Sequence, residues 1–266
     1  MQQALKAFIE LFSLSAMRYF VVAGIPFIVC YKLLNNWLSQ SKIQDREAAK
    51  KDFIREILYS VQTTAILTVI GFTVLYTPVK NITRVYTSLS DYSIIWLLVS
   101  VALALVIHDT YFYWMHRLLH HPKIFNYTHL LHHKSTNPSP WASYSFHFFE
   151  AWTEGAALLV VVTILPMHPI AIGLFILSSF IINVYGHLGY EVAPLWLRKT
   201  IFFEIFNTSV HHNLHHSKFK GNYGLYLRFW DRVMGTEHPD YVKEFDRIQQ
   251  NRLNAKIKQN VVSQAS

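Results

Sequence analysis

The chain has few charged residues and a single cysteine. Of its 266 residues, 15% are charged and 52% are hydrophobic, whereas ordinary soluble domains have about 25% charged residues. This composition excludes an ordinary water-soluble domain and indicates a lipid bilayer. Cys30 has no second cysteine to pair with, which excludes an internal disulfide and removes thiolates from any set of metal ligands. The N-terminus lacks the short apolar block and cleavage site of a signal peptide, so we expect the first apolar segment to remain as an anchor.

The net charge of +8 could suggest a nucleic-acid partner. Basic loops on one face of a membrane explain the charge more simply, so we expect no nucleic-acid binding. The positive-inside rule also predicts the orientation. The loop after the first apolar segment is rich in basic residues, the next loop has only two, and eleven of the 24 Lys and Arg residues follow His187. These biases place the first loop and the C-terminal third on the cytoplasmic side.

Long uncharged runs predict an all-α, multi-pass transmembrane bundle of about four spans. Residues 57–76 contain no charge and are long enough to cross a core of about 30 Å. Residues 92–115 form a second candidate, and residues 19–31 form a weaker one between two basic residues. Residues 155–186 are too long for one upright span, and Pro166 and Pro169 break a helix in their middle.

We therefore expect a helical hairpin, with packed arms at residues 149–165 and 170–187. A single kinked helix is the alternative, but only the hairpin returns the chain to the side on which a cytoplasmic, helical, histidine-rich cap can form. The expected domains are N-terminal anchor spans in residues 1–90, a catalytic domain in residues 91–240, and a polar C-terminal tail, either a solvated helix or loose, in residues 241–266. A bacterial inner membrane is favoured over the endoplasmic reticulum, because no eukaryotic retrieval tail is evident.

Ten of the fifteen histidines lie in two short windows, residues 116–133 and 211–216. Residues three or four apart share a helical face, so each cluster is expected to aim at one point. Eight clustered imidazoles are too many for one zinc ion, which takes four protein ligands or three and a water. Two metal ions fit the number better, and imidazole suits zinc, copper or iron. The clustered candidates are His116, His120, His129, His132, His133, His212, His215 and His216.

Other residues are expected near these clusters. His187 lies at the end of the second hairpin arm and is predicted to be a further ligand, and His147 is a candidate to line the site. Metal-bound histidines usually donate their second ring N–H to a carboxylate or carbonyl. Carboxylates close to the clusters or to membrane ends are therefore candidates for this role, with helix capping or arginine pairing as the alternative: Asp109, Glu150, Glu191 and Asp231.

The chain resembles the fatty acid hydroxylase/sterol desaturase superfamily of membrane di-iron oxygenases over roughly residues 92–238. The resemblance includes Asp109-x3-Tyr113-x2-His116-Arg117-x2-His120, His129-x2-His132-His133, Gly186-His187-x2-Tyr190-Glu191, and His211-His212-x2-His215-His216. It closes with Trp230-Asp231-Arg232-x2-Gly235-Thr236. Residues 141–150 look most like sterol C-5 desaturases and their bacterial relatives. Lipid 2-hydroxylases carry a histidine four residues before the position of His187, where this chain has Asn183.

The resemblance implies a di-iron enzyme that uses O2 as co-substrate and external electrons to hydroxylate or desaturate a lipid, with all nine histidines as ligands. The sequence has no dinucleotide-binding glycine motif and no cysteine set for an iron–sulfur cluster. We therefore expect a separate electron donor: a cytochrome b5-like protein, a ferredoxin or a reductase. A zinc-dependent membrane lipid hydrolase is an alternative, although no H-E-x-x-H occurs, and a metal-binding or metal-transport protein is another. Sterol or hopanoid-like rings, fatty acyl chains, ether lipids and carotenoids all remain possible substrates.

Overall fold

The computed structural model describes residues 2–46 and 48–265. In these ranges every regular element is helical, and the only β-type pairings are three isolated bridges. Short 3-10 helices lie at Ser39–Ser41, Pro78–Ile82, Pro140–Tyr144 and Leu195–Lys199, and a π-helical turn at Val29–Leu33. The α-helices are α1 (Gln2–Ile28), α2 (Lys50–Tyr76), α3 (Ile94–Leu119), α4 (Phe125–Thr128), α5 (Leu130–His133), α6 (Phe148–Ile164), α7 (Pro169–Gly186), α8 (Ile201–Ile205), α9 (Ser209–Lys218), α10 (Phe229–Val233) and α11 (Tyr241–Ala265).

Four helical segments in the described ranges are long and apolar enough to cross a membrane. They are Gln2–Leu33, Lys50–Tyr76, Ile94–Leu119 and Pro169–Gly186. The all-α, multi-pass architecture expected from the composition is therefore confirmed. The first segment is much longer than the weak candidate at residues 19–31, because α1 continues through its N-terminal charged residues. Lys6 and Glu10 form an exposed i, i+4 ion pair there.

The proline-rich break in the long apolar stretch is also confirmed. Helix α6 ends at Ile164, and Leu165 has an extended backbone with ψ of 135°. The ring of His168 then caps α7 by accepting a hydrogen bond from the N–H of Ile170 at 3.2 Å. Pro169 occupies the first turn of α7, where a missing N–H costs nothing. The chain thus forms two helices instead of one kinked helix.

Five long apolar helices form a ring in the order α1, α2, α6, α3 and α7, with α7 packing back on α1. We expected the arms α6 and α7 to pack on each other, but α6 packs against α2 and α3, and α7 packs mainly against α3. Ala104 of α3 explains this arrangement, because its small, fully buried side chain lies in one apolar cluster with Val161 of α6 and Phe175 of α7. An interior cavity lies within the ring and is lined by all five helices.

Helix α6 contacts α2 at Gly155. A Cβ atom at this position would collide with Cδ1 of Ile70 and would lie 3.0 Å from Cδ2 of Leu67. We expect Gly155→Ala to destabilise the protein by about 1–3 kcal/mol, since a packed interface must shift to accept it. Thermal unfolding in detergent micelles measures the effect. Gly173→Ala is the control, because nothing lies within 4 Å of its Cβ position. Equal losses in the two variants would contradict the prediction.

The C-terminal segment is helical and its first turns are buried. Tyr241, Phe245 and Ile248 are fully buried in a cluster with Phe203 and Val210. Their spacing of four and three residues places them on one helical face. The later part of α11 is exposed, as expected of a polar tail, whereas the beginning covers the outer side of α9. The division of the chain into three domains stays a prediction.

Candidate metal centre

The nine histidines singled out from the sequence meet at the end of the ring where α3 and α7 finish and α6 begins. They form two groups, and within each group the potential ligand atoms all lie within 4.8 Å of one another. All except His120 are buried. Group A contains His116, His120, His129, His133 and His215; group B contains His132, His187, His212 and His216.

Each H-x2-H-H motif contributes to both groups, which corrects the expectation that one motif aims at one point. His129 and His133 join group A while His132 joins group B. In α9 the assignment is reversed: His212 and His216 join group B and His215 joins group A. The reason is helical geometry, since residues four apart point in nearly the same direction and the residue between them is rotated by about 100°. Each motif therefore links group A to group B through one short helical segment.

The Nε2 atoms converge in group A. Nε2 of His133 lies 3.1 Å from that of His120 and 3.0 Å from that of His215. Nε2 of His116 lies 2.9 Å from that of His129. Ligands on one ion at about 2.0–2.1 Å are separated by about 2.8–3.4 Å, so these spacings suit neighbouring ligands of one metal ion.

Group B has the same arrangement. Nε2 of His187 lies 3.3 Å from Nε2 of His132 and 3.1 Å from Nε2 of His212. Nε2 of His212 in turn lies 3.1 Å from that of His216. The donor set of both groups is imidazole nitrogen alone, which suits zinc, copper or iron.

The hydrogen bonds that the Nδ1–H groups donate explain why the neighbouring Nε2 atoms cannot be hydrogen-bonded to each other. Nδ1–H of His116 donates to the carbonyl of Tyr223 at 2.9 Å, and that of His187 donates to the carbonyl of Asn183 at 2.8 Å. A carbonyl only accepts, so the proton lies on Nδ1 and a neutral ring has a bare lone pair on Nε2. The same outward contacts occur for His132 with Ser145, His215 with Gly221, and His216 with Ser135.

Bare lone pairs about 3 Å apart repel each other unless a cation lies between them. Burial keeps the rings neutral: it lowers the pKa of His133 to about 3 and the pKa of His187 to about 4. The residues therefore fit two bound metal ions, because one ion takes no more than about four to six of nine donors. The convergence of these Nε2 lone pairs on two points is the main evidence for a metal site.

Acidification is expected to destabilise the metal-free protein. An unfolded histidine titrates near about pH 6.5, well above the pKa of buried His133 or His187. Between about pH 6.5 and 4 these two histidines take up protons in the unfolded chain but not in the folded chain. The stability that each of them contributes is therefore complete above this window and falls with falling pH, by about 1.4 kcal/mol per pH unit. Melting temperatures of chelator-treated protein at several pH values test this; a constant melting temperature would contradict it.

Glu150 is the one carboxylate candidate that contacts a ligand. Its Oε1 accepts a hydrogen bond from Nδ1–H of His129 at 2.5 Å, and its Oε2 accepts from the N–H of His147 at the start of α6. Glu150 is completely buried. It therefore combines the ligand-orienting role and the capping role that the sequence left as alternatives.

Asp109 and Asp231 act on the site through one backbone segment. Asp109 accepts hydrogen bonds from the N–H groups of Tyr226 and Leu227 at 2.7 and 3.2 Å. Asp231 accepts from the N–H groups of Tyr223 and Gly224 at 2.9 and 2.7 Å. The two carboxylates thus hold residues 223–227, and the carbonyl of Tyr223 in that segment accepts from His116.

The side chains of the other three candidates, Glu191, Asn183 and His147, contact backbone groups near the histidines. Glu191 accepts from the N–H of Val210 at 3.2 Å and so holds the first turn of α9, the helix that carries three of the nine metal-binding candidates. The side chain of Asn183 donates to the carbonyl of Ser143 at 2.8 Å. The ring of His147, a candidate to line the site, caps α6 by accepting from the N–H of Phe149.

Glu56 contributes to the site and was missed in the sequence. Its two carboxylate oxygens accept hydrogen bonds from the hydroxyls of Ser135 and Ser139 at 2.7 and 2.5 Å. The carbonyl of Ser135 accepts from Nδ1–H of His216 at 3.0 Å. In the sequence, Glu56 is an acidic residue directly before the apolar run that begins at residue 57. A charge that only flanks a membrane span would look the same.

The backbone conformation at position 221 requires glycine. Its φ is +79°, and a Cβ atom would lie 2.6 Å from the carbonyl oxygen of Thr236. Only glycine adopts this conformation without strain. The turn directs the carbonyl of Gly221 to Nδ1–H of His215 at 2.7 Å.

A cavity of about 130 Å³ lies inside the helix ring and extends towards the histidines. All five helices of the ring line it, mostly with apolar side chains. A much smaller cavity lies directly beside the two histidine groups. The residues that line both are Phe146, Glu154 and Asn183. These three side chains separate the lipid-like interior from the metal centre.

The family model described as fatty acid hydroxylase matches residues 101–236. Among curated proteins, the chain is 34% identical to the Delta(7)-sterol 5(6)-desaturase ERG3B of Gibberella zeae over 64% of this chain and 51% of that protein. It is 27% identical to lathosterol oxidase of Rattus norvegicus over 88% of this chain and 79% of that protein. The match thus spans about half the length of the first relative. No solved structure matches the chain significantly.

Proposed function

The chain belongs to the fatty acid hydroxylase family, and from that premise we propose that it is an integral membrane oxidoreductase that hydroxylates or desaturates a lipid. It would use O2 and external electrons at a di-iron centre. The observation that carries the proposal is the convergence of nine Nε2 lone pairs in two groups at the end of an apolar cavity. The sterol desaturase and lathosterol oxidase names of the relatives support a lipid substrate.

Group A and group B would each hold one iron. Iron bound there would supply the activation of O2 that attack on an unactivated C–H bond requires. The chain itself fixes the tautomer of six of the nine imidazoles through their Nδ1–H contacts, excludes water with apolar helices, and holds the lipid in the cavity between them. No general acid or base is needed among the ligands. Whether hydroxylation or desaturation occurs would depend on how the lining side chains place the substrate against the centre.

Electrons would come from a separate protein, a cytochrome b5-like donor, a ferredoxin or a reductase. The basic residues of the first loop and of the C-terminal third support a cytoplasmic site for its docking. Full turnover by the purified chain with NAD(P)H alone would contradict this part of the proposal. A bacterial inner membrane stays the expected location.

Metal analysis distinguishes this proposal from the two alternatives. We expect two irons per chain for the oxygenase, one zinc for a membrane hydrolase, and variable loading for a metal transporter. Nine imidazoles in two groups leave most of the donors unexplained in a mononuclear zinc site.

Lipid analysis tests the activity. The lipids of a strain that lacks the gene are compared with those of the same strain carrying the native gene. We expect the rescued strain to contain a lipid that has gained one oxygen or lost two hydrogens. Identical lipid profiles, together with an iron-free protein, would overturn the proposed function.

A further inference from the structure

A polar pocket of about 250 Å³ lies where the first membrane-spanning segment, Gln2–Leu33, ends. Three basic side chains line it, Lys32, Lys42 and Arg46, and among residues 2–46 and 48–265 no carboxylate does so. Lys32 and Arg46 are exposed, and Lys42 is half-buried. The proposed metal centre uses none of the three. The pocket therefore carries positive charge that the chemistry of the histidines does not explain.

The pocket lies at the level of the lipid headgroups. Lys32 belongs to the π-helical turn that ends the first span, and such turns frequently mark functional sites. Trp37, just beyond the span, is 71% exposed, which is typical of tryptophan at the boundary between lipid and water. The basic residues of this loop predict that this end is cytoplasmic, and the cytoplasmic leaflet carries the negative surface potential. An anionic headgroup is therefore within reach of the pocket.

The donors that line the pocket suit a phosphate group. Nη1 of Arg46 donates to Oγ1 of Thr136 at 3.2 Å, which occupies one of the five N–H groups of the guanidinium. Arginine binds phosphate through paired N–H groups, and lysine binds it as a point charge. A headgroup with its own cation, such as choline, fits less well. Lys32 and Arg46 repel such a cation, and the rings of Phe27 and Tyr31 already stack on each other at 4.9 Å.

An apolar groove of about 370 Å³ between α1 and α7 adjoins this pocket. On α1 the groove is lined from within residues 21–26, and the pocket from within residues 27–35. On the other side the groove extends to Leu188, and the pocket begins at the next residue, Gly189. The two spaces therefore follow each other along the same pair of segments. A molecule with a phosphate and a long apolar chain matches this order.

We infer that the pocket and the groove together bind one anionic phospholipid. The Lys32 ammonium and the Arg46 guanidinium hold its phosphate, and one acyl chain lies between α1 and α7. None of the residues that line the groove lines the interior cavity. The phospholipid is thus a ligand separate from the lipid that the proposed function would oxidise, and the inference does not depend on that function.

An occupied pocket would also stabilise the backbone beside the histidines. The hydroxyl of Tyr31, which lines the pocket, donates to the carbonyl of Leu188 at 3.0 Å, one residue after His187. Gln44, which also lines the pocket, donates from Nε2 to Oδ1 of Asn213 at 2.6 Å. Asn213 lies in α9, the helix that carries three of the nine metal-binding candidates. We therefore expect the bound phospholipid to raise the melting temperature of the protein.

Native mass spectrometry of the purified, metal-loaded full chain in detergent micelles tests the inference. The probes are dioleoyl phosphatidylglycerol, dioleoyl phosphatidylcholine and glycerol 3-phosphate. All three contain a phosphate, but the second carries a cation and the third has no acyl chains. We expect phosphatidylglycerol to bind at least about tenfold more tightly than phosphatidylcholine, since each basic side chain contributes about fivefold. Glycerol 3-phosphate at the same concentration should not displace it. Phosphatidylglycerol should also raise the melting temperature more than phosphatidylcholine does.

Variants assign the effect to the pocket and to the groove. Lys32→Gln and Arg46→Gln are each expected to lower the preference for phosphatidylglycerol about fivefold. Lys123→Gln is the matched control, because this exposed lysine lies at the same end of the ring and lines neither space. Ile181→Trp fills the groove and should weaken both lipids without changing their ratio. Leu98→Trp, at an exposed position of α3 outside the groove, should bind both lipids as the native chain does.

Four results would overturn the inference. Equal affinity for the two lipids would mean that Lys32 and Arg46 only extend to the membrane surface. An equal loss of preference in Lys123→Gln would mean that the whole basic surface, and not the pocket, attracts the lipid. Displacement by glycerol 3-phosphate would mean that the pocket takes a soluble phosphate compound. Tighter binding of phosphatidylcholine would mean that the aromatic rings select a cationic headgroup. None of these results affects the iron content or the oxidised lipid products that test the proposed function.

Discussion

Replacing His120 with alanine is expected to reduce lipid oxidation at least about 100-fold and to lower the iron content below that of the native chain. Nε2 of His120 lies 3.1 Å from the Nε2 atoms of both His133 and His215, so its loss opens one side of group A. Loss of a partner that only orients a ligand costs about 10- to 100-fold, and loss of the ligand itself should exceed that range.

The adjacent residue offers a matched control. His121 is exposed, and its ring only accepts from the N–H of Lys123 at 3.3 Å. His121→Ala should therefore retain native iron and native activity. His212→Ala extends the test to group B. Iron is measured by elemental analysis of the purified proteins and activity by the recovered lipid product. Retention of both iron and activity in His120→Ala would remove that histidine from the site.

Replacing Glu150 with leucine is expected to weaken iron binding by about 10- to 100-fold. The buried carboxylate orients His129 through the hydrogen bond to its Nδ1–H at 2.5 Å, and leucine leaves that N–H without a partner. Glu150→Gln should lie much closer to the native protein, since its amide oxygen still accepts. Chelator titration of the purified proteins measures the relative iron affinities.

The control for Glu150 separates its two roles. Glu150 also helps to cap α6, a contact worth about 1 kcal/mol. His147→Ala removes a cap of the same helix, the contact with the N–H of Phe149, without touching a histidine ligand. It should lower thermal stability slightly and leave iron affinity unchanged. If His147→Ala weakened iron binding as much as Glu150→Leu, capping alone would explain the effect of Glu150.

The nine metal-binding candidates could be predicted because their residue type and spacing are both visible in the sequence. Their division into two groups could not, since H-x2-H-H fits one shared target as well as two. The structure resolves this through the rotation between neighbouring positions, which sends His132 and His215 away from the other members of their motifs. Iron itself stays a proposal, because imidazole nitrogen suits several metals.

The helical architecture followed from the apolar runs and the two prolines, but the packing of the arms did not. Nothing in the periodicity of α6 or α7 distinguishes contact with each other from contact with Ala104 of α3. The contribution of Glu56 was also hidden, because its value depends on Ser135 and Ser139, about 80 residues away in the chain. Such contacts arise only when distant segments fold together.

Six of the nine imidazoles have an outward hydrogen bond of their Nδ1–H, and five of those bonds end on peptide carbonyls. No side-chain replacement at the accepting residue deletes a peptide oxygen, so these five orientations are insensitive to ordinary point mutation. The sixth acceptor, Glu150, is the exception. A substitution at Glu150 can therefore change the hydrogen bond to a ligand imidazole, and with it the electron-donating strength of that ligand. Among these six acceptors, Glu150 is the position at which a point mutation would alter the reduction potential of a bound metal.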